Sequence, residues 1–326
     1  MQPDSIGSRS DLPETPGTAF VMRQRTWWQS PVARRRATYA YVGLLPWLIG
    51  FFIFTAYPMV ASGYYSFTDF PILTGPSWVG LRNYQEMIFQ DDLFWKSLRV
   101  TATYTLVAVP SSVITGYLIA MFLNQNVRGL SIWRTLYFVP SIVPAIASAY
   151  LWAWMFNQDF GLINGLLTHL GVRGPKWFGS VEWVLPAFII MHLWSAGAGL
   201  ILYLAAFQGV PTTLYEAAKV DGANAWQRLM NITIPMTSPV ILFTFLTGMI
   251  GSFQIFTAGY VITSGGPNNA SLFYVLYLFR NGWDYYKMGY ASALAWVLLV
   301  IMLALTFLTL YASRRLVYYE LSEQER

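Results

Sequence analysis

The sequence contains no cysteine and only two histidines, His169 and His192. Without thiolates the chain cannot form disulfides, iron–sulfur clusters or cysteine zinc sites. Two histidines are also too few for a metal centre built from histidine. The missing residue types therefore argue against metal and redox catalysis.

Charge is also scarce in this chain. Only 11% of the 326 residues are charged and 56% are hydrophobic, whereas about 25% of the residues of an ordinary soluble domain are charged. Such an apolar chain is not intrinsically disordered. The 20 lysines and arginines give a net charge of +5 but are scattered between apolar runs. We therefore expect a lipid bilayer, and not a nucleic acid, around this protein.

Six stretches contain no Asp, Glu, Lys or Arg, and each exceeds the roughly 20 residues of a membrane-spanning helix. They are Ala37–Thr68, Val100–Val127, Thr135–Gln158, Trp183–Tyr215, Leu229–Phe279 and Met288–Ser313. The fifth, at 51 residues, contains the turn-forming cluster Thr263–Asn269. We predict that its helix ends near Ile262 and that the remainder through Lys287 is an external loop. The predicted fold class is an all-α polytopic membrane protein with six transmembrane helices.

The basic residues predict the orientation of these helices. With the N-terminus inside, 13 of the 20 lysines and arginines fall on the cytoplasmic side, as the positive-inside rule requires. The predicted organisation is an uncleaved cytoplasmic tail at 1–38, a six-helix transmembrane domain at 39–312 and a cytoplasmic tail at 313–326. Both termini are then cytoplasmic, and segment 69–98 forms an external hairpin or a short amphipathic scoop.

The loop at residues 209–235, between predicted helices four and five, carries helix signals of its own. Thr213 and Glu216 have the spacing of a capping box, so a helix is predicted to begin there. Gly222 suits the left-handed residue that ends such a helix. The loop is therefore predicted to be structured and cytoplasmic.

A second short helix is predicted in the same loop. Asn224 and Gln227 repeat the capping-box spacing, and Pro235 is expected to stop the helix. Both helices carry apolar stripes, formed by Leu214, Ala217 and Ala218 on the first and by Trp226, Leu229 and Met230 on the second. These stripes suit either a partner protein or the chain's own helices, and spacing alone leaves both readings open.

Three short motifs in this loop, Glu216–Ala218, Asp221–Ala223 and Ile234–Pro235, resemble the EAA loop of the membrane subunits of bacterial ABC importers. Two later motifs, Thr263–Pro267 and Gly289–Ala293, resemble the last loop and helix of the maltose-type, carbohydrate-uptake branch. The resemblance implies a permease subunit of the bacterial cytoplasmic (inner) membrane. Residues 209–235 are called the EAA loop below.

The resemblance also implies partners. The EAA helix of such subunits sits in a cleft of a cytoplasmic ABC ATPase dimer, and the complex includes a second homologous permease and an extracytoplasmic solute-binding protein. The implied coupling residues are Glu216, Ala217, Ala218, Asp221 and Gly222. The Gly-Lys dipeptide of a P-loop occurs nowhere in the sequence, so no cofactor is expected in this chain and ATP and Mg are assigned to the partner ATPase.

The maltose-type subunit further implies a substrate pathway. Its positions fall on Met191, Trp194, Ser195 and Ala198 in helix four and on Gly248, Ser252 and Ile255 in helix five. Trp194, Ser195 and Ser252 are the strongest candidates, with helix packing as their alternative role. His192, the only ionisable group in a predicted span, flanks the pathway, and its alternative is a neutral ring bonded to a backbone carbonyl.

The six stretches offer no charge to a solute, which favours a sugar or oligosaccharide bound by hydroxyls and aromatic rings. One open alternative is an anionic solute, such as a sugar acid, an oligo-uronate or glycerol phosphate, with cationic groups supplied by the partner permease. A proton-coupled carrier is disfavoured because the spans lack carboxylates. A membrane-embedded enzyme is disfavoured because no nucleophile, base or metal constellation is present.

The topology can be tested by cysteine labelling, because the native chain has no cysteine. We expect Asn224→Cys to react with a membrane-impermeant maleimide only after the cells are permeabilised. Labelling of this cysteine in intact cells would invert the predicted orientation.

Overall fold

The computed structural model describes residues 31–125, 128–314 and 317–318. The chain divides into two compact units, Met1–Met59 and Val60–Arg326. In the first unit, helix α1 (Pro31–Phe51) is followed by the π-helical turn Phe52–Ala56. Helix α1 thus begins inside the segment predicted as the N-terminal tail.

The rest of the described chain is almost entirely helical. Helix α2 is Tyr57–Tyr65, and the two-residue strands β1 (Thr68–Asp69) and β2 (Ser77–Trp78) form an antiparallel hairpin. The helices that follow are α3 (Arg82–Phe89), α4 (Asp92–Leu123), α5 (Leu130–Ile142), α6 (Ala145–Met155), α7 (Leu162–His169), α8 (Val184–Trp194), α9 (Leu200–Gly209), α10 (Thr212–Val220), α11 (Ala225–Arg228), α12 (Ile234–Phe253), α13 (Tyr274–Phe279) and α14 (Met288–Ser313). Segment 69–98 thus contains a hairpin and the amphipathic helix α3, and its external location stays a prediction.

Within the described residues, five helices are long and apolar enough to cross a membrane. They are Arg34–Tyr65, Asp92–Leu123, Val184–Gly209, Ala225–Phe253 and Met288–Ser313. The third predicted span is instead a pair of helices, α5 and α6, bent by 101°. The break falls at Val143, which is extended because Pro144 disfavours the helical conformation in the residue before it. The count is six only if this bent pair forms one span.

The segment after α12 differs from its prediction. Helix α12 ends at Phe253 rather than near Ile262, and residues 254–287 are not a simple loop, because they contain α13 and two π-helical turns. Leu272, Phe273 and Tyr274 in this segment are completely buried, and α13 packs against α4 and α14. The turn residues correctly marked a break, but the apolar residues beyond it belong to the core.

The EAA loop contains the predicted turn but not the predicted first cap. Helix α10 begins after Pro211, so the Thr213–Glu216 capping box is absent: Thr213 already lies inside the helix. At the other end Gly222 has φ +78°, and the Ala223 amide donates to the Ala218 carbonyl over 2.8 Å. This Schellman motif confirms the left-handed glycine at the helix end.

The second capping box is confirmed, whereas the predicted stop at Pro235 is wrong. Asn224 accepts a hydrogen bond from the Gln227 amide, and the Gln227 side chain accepts one from the Asn224 amide. Helix α11 then runs through a π-helical turn, Leu229–Thr233, into α12. The wider turn accommodates the missing N–H of Pro235, so the helix continues.

Candidate functional site

A cavity of about 680 Å³ lies between α4, the bent pair α5 and α6, the α8–α9 helix and α12 with the turn after it. All eight residues predicted for the substrate pathway line this one cavity. They are Met191, His192, Trp194, Ser195, Ala198, Gly248, Ser252 and Ile255. The sequence analysis assigned these residues to predicted helices four and five. The structure brings both sets together around one cavity.

The cavity exists because three backbones approach closely at one short turn. Between α8 and α9, residues Ala196–Gly199 form a 3₁₀ turn. A Cβ on Gly197 would lie 1.9 Å from the Tyr137 carbonyl oxygen of α5, and one on Gly116 of α4 would lie 2.8 Å from the Ala196 carbonyl oxygen. Only glycine fits at these two contacts, so Gly116 and Gly197 serve helix packing.

Trp194 contributes an aromatic wall to the cavity. Its half-buried ring meets the Trp152 ring edge to face, with centroids 5.8 Å apart. Trp152 is itself buried, and its indole nitrogen makes no hydrogen bond within the described residues. Trp194 is therefore held by ring packing and keeps part of its surface toward the cavity.

The candidate hydroxyl groups are already engaged within the chain. Ser252 is only 4% exposed and donates to Thr105 Oγ1 over 2.9 Å. Ser195 donates to the His192 carbonyl oxygen over 2.9 Å. These hydroxyl protons are used internally, but each oxygen retains lone pairs that can accept a hydrogen bond. The geometry of Ser252 is that of a helix-packing contact at the cavity wall.

The His192 ring does not match its predicted alternative. Among the described contacts it makes no hydrogen bond to a backbone carbonyl, and its neighbour is the Tyr104 ring, edge to face at 5.9 Å. Tyr104, which sequence reasoning missed, is buried on α4 and also lines the cavity.

The sequence analysis also missed other uncharged polar residues at the cavity. The uncharged polar lining residues outside the predicted set are Tyr104, Ser112, Ser141, Ser148, Tyr203, Thr244, Thr247, Gln254 and Thr257. Nothing in the spacing of serines and threonines on α4 or α5 distinguished them from ordinary helix residues. Across the described part of the chain, the lining contains no Asp, Glu, Lys or Arg. The cavity is thus suited to a neutral, hydroxyl-rich solute.

A second, smaller cavity of about 270 Å³ surrounds Asp91. One Asp91 oxygen accepts from the amides of Leu93 and Phe94 at the start of α4, and the other accepts from the Tyr277 and Tyr290 hydroxyls. Burial and the Asp91 carboxylate raise the pKa of Tyr277, so this phenol stays protonated and donates. Asp91 therefore joins α4 to α13 and α14 as a structural group.

The EAA loop is the second candidate site. None of the nine residues of α10, all within the described chain, is buried. Glu216, Ala217, Asp221 and Gly222 are exposed, and Ala218 is half-buried. Apolar side chains are also exposed: Val220 at 88%, Trp226 at 65%, Leu214 at 40% and Met230 at 39%. A 2.9 Å hydrogen bond between Tyr215 and Thr233 joins α10 to the π turn.

Comparisons with known proteins agree with this architecture. Residues 112–318 match the family described as binding-protein-dependent transport system inner membrane component. The chain is 40% identical to a probable ABC transporter permease protein, YesP, of Bacillus subtilis, over 88% of this chain and 94% of that protein. It is 32% identical to the trehalose/maltose transport system permease protein MalF of Thermococcus litoralis, over 86% and 95%.

A solved structure shares the fold. A chain of a bacterial alginate ABC transporter, crystallised in complex with an alginate pentasaccharide-bound periplasmic protein, superposes with a TM-score of 0.77. The match covers 90% of this chain and 98% of that chain at 23% identity.

The 3₁₀ turn gives a prediction about cavity assembly. We expect Gly197→Ala to destabilise the protein by about 1 to 3 kcal/mol or more, because the added methyl group must displace the α5 backbone. Gly209→Ala is the matched control, since a Cβ there meets no atom within 4 Å. Thermal unfolding and the yield of folded protein in detergent measure both variants. Equal stability of the two would contradict the close approach.

Proposed function

We propose a function for this chain on the basis of its family. The chain belongs to the family of binding-protein-dependent transport system inner membrane components. Members of this family are transport proteins, not enzymes, and the chain is a multi-pass membrane permease subunit. We infer that it forms half of the translocation pathway of an ABC importer for a sugar or oligosaccharide. Its solute is delivered by an external binding protein and moved by ATP hydrolysis in partner subunits.

The observation that carries the solute class is the uncharged cavity between α4, α8 and α12. Its described lining combines aromatic rings with hydroxyl oxygens and contains no charged side chain. Saccharides present hydroxyl groups and apolar ring faces, which such a lining binds by hydrogen bonds and stacking. The name of the Thermococcus relative includes trehalose and maltose, which supports the same class.

Roles within the cavity follow from exposure and contacts. Trp194 is placed to stack on a sugar ring, and Ser195 is placed to accept a hydrogen bond from a sugar hydroxyl. Met191, Ala198 and Ile255 supply apolar contacts, and His192 lies at the flank. Gly248 and Ser252 shape the wall, because a Cβ on Gly248 would lie 3.3 Å from Val109 and Ser252 bonds Thr105.

The EAA loop is proposed as the coupling element. An exposed helix with apolar side chains on its surface fits recognition of a helix by a groove in a partner. Glu216, Ala217, Ala218, Asp221 and Gly222 would meet a cytoplasmic ABC ATPase dimer, which binds ATP and Mg. Because α11 continues into α12, a movement of this loop is transmitted along one helix to Gly248 and Ser252 at the cavity.

The remaining parts of the proposal concern assembly and orientation. The chain lies in the bacterial inner membrane with six spans, counting the bent α5–α6 pair as one, and with both termini in the cytoplasm. It pairs with a second homologous permease and receives solute from an extracytoplasmic solute-binding protein. The family description, which names binding-protein-dependent transport, supports this set of partners.

The cavity assignment is tested at Trp194. In cells that express the whole importer, we expect Trp194→Leu to lower saccharide uptake at least fivefold, because the flat stacking face is lost. Trp154→Leu is the control, since Trp154 is similarly bulky, half exposed and outside the cavity lining. Copurification of the ATPase should be unchanged in both. Uptake by Trp194→Leu at the rate of the control would remove this ring from the pathway.

The coupling assignment is tested at Gly222, where a Cβ meets no atom within 4 Å and only the backbone conformation matters. A left-handed backbone costs a side-chain-bearing residue roughly 1 to 2 kcal/mol, and Asn tolerates it better than other residues. We expect Gly222→Val to abolish uptake and weaken ATPase copurification, while Gly222→Asn retains most of both. If Gly222→Val keeps normal uptake and normal ATPase recovery, the EAA loop is only a connector.

A further inference from the structure

Four aromatic rings pack against one another beyond the end of α12, and we call them the aromatic ladder: Phe256, Tyr260, Phe279 and Trp283. Phe256 and Tyr260 are parallel, with centroids 5.4 Å apart and planes inclined by 15°. Phe279 and Trp283 are parallel at 5.3 Å and 8°. Phe279 also meets Phe256, with centroids 5.0 Å apart, and Tyr260, with centroids 5.5 Å apart. The four rings therefore form one contiguous cluster.

A buried glycine precedes each exposed ring of the ladder. Gly259 is buried so tightly that a Cβ there would lie 2.6 Å from the Phe273 ring, and the next residue, Tyr260, is 45% exposed. Gly282 is buried against Ala291, and the next residue, Trp283, is 54% exposed. Both glycines lie in π-helical turns, Gly259–Thr263 and Arg280–Asp284. In both turns the backbone packs inward at the glycine and the next residue is exposed.

The ladder connects the surface to the large cavity. Phe256 is half-buried and lines the cavity beside Ile255. Tyr260, which stacks on Phe256, and Trp283, which stacks on Phe279, are the exposed rings of the ladder. A solute that slides along the rings would arrive at the wall formed by α12. Continuity with the cavity distinguishes these rings from the other exposed aromatic residues, such as Tyr285, which makes no ring contact in the described chain.

Flat aromatic faces suit the apolar faces of sugar rings. Tyr260 and Trp283 keep about half of their surface exposed, and their packing against the other two rings reduces the side-chain entropy that is lost on binding. Aromatic residues at a membrane–water interface anchor the protein in the bilayer instead. Anchoring requires no ring-to-ring contact and no continuity with a cavity. The stacking and its course therefore favour a solute track.

We propose that the aromatic ladder is an entry subsite that guides saccharides, by stacking on successive sugar rings, from the surface into the cavity. This inference rests on the proposed role in saccharide import. A longer saccharide contacts both the ladder and the cavity at once, so the ladder contributes more to oligosaccharides than to disaccharides.

The test uses the complete importer with its binding protein, reconstituted in proteoliposomes. Radiolabelled maltose to maltopentaose, lactose to galactosyl-lactose, and alginate di- to pentasaccharides serve as probes, and each variant is compared on the saccharides that the wild type takes up. We expect Trp283→Leu and Tyr260→Leu to slow the longest accepted saccharide at least fivefold and the shortest less than twofold. Trp283→Phe keeps a flat face and should retain uptake. Tyr285→Leu is the matched control and should behave as wild type.

The outcomes separate the ladder from the import function itself. Uptake of every length at wild-type rates by both Leu variants would show that the rings are membrane anchors. An equal slowing of all lengths, together with poor recovery of the assembled complex, would show a structural role and also overturn the subsite. Absence of uptake of any saccharide by an assembled, ATP-hydrolysing wild-type complex would overturn the sugar-import function and, with it, this inference.

Discussion

The close approach of three backbones at the 3₁₀ turn Ala196–Gly199 is the constraint on which the cavity depends. In lipid there is little hydrophobic gain from bringing apolar helices together, so van der Waals contact between small residues provides much of the attraction. At Gly116 the backbone of α4 meets the Ala196 carbonyl of the turn, and at Gly197 the turn meets the Tyr137 carbonyl of α5. Helices α4, α5 and α8 are thereby fixed around one space, and α12 closes it from the remaining side.

Helix α12 is joined to its neighbours by paired hydroxyl groups. Thr237 bonds Tyr117 at 2.9 Å, Thr244 bonds Tyr203 at 2.7 Å, and Ser252 bonds Thr105 at 2.9 Å. A polar group that faces neither water nor a partner is costly in a bilayer, so each pair specifies the register of α12 against α4 or α9. The same helix begins in the EAA loop. The Ser252–Thr105 pair near the C-terminal end of α12 therefore lies at the cavity wall, and the N-terminal end of α12 belongs to the proposed coupling element.

The two candidate sites differ in where their apolar side chains lie. The cavity combines apolar walls with hydroxyl oxygens whose protons are already donated to the chain, which leaves acceptors for a solute. The EAA loop does the opposite, since it exposes Val220 on α10 and Trp226 on α11, and neither helix has a buried residue. Exposed apolar side chains outside the spans are characteristic of protein interfaces. One surface is thus suited to a small polar molecule and the other to a protein groove.

Composition and short-range patterns determined much of this protein on their own. The long uncharged runs gave the membrane class, Gly222 and the Asn224–Gln227 capping box gave the turn of the EAA loop, and motif resemblance gave residues that line one cavity. These features depend on a few neighbouring residues or on total hydrophobicity. The bend at Val143 and the π turn before Pro235 also have local causes, because a proline lies beside each of them. The buried segment around Phe273 and the internal bond of Ser252 were decided by the tertiary structure. Each depends on which distant helix supplies a partner for an apolar face or a hydroxyl group, and no local pattern in the sequence encodes that partner.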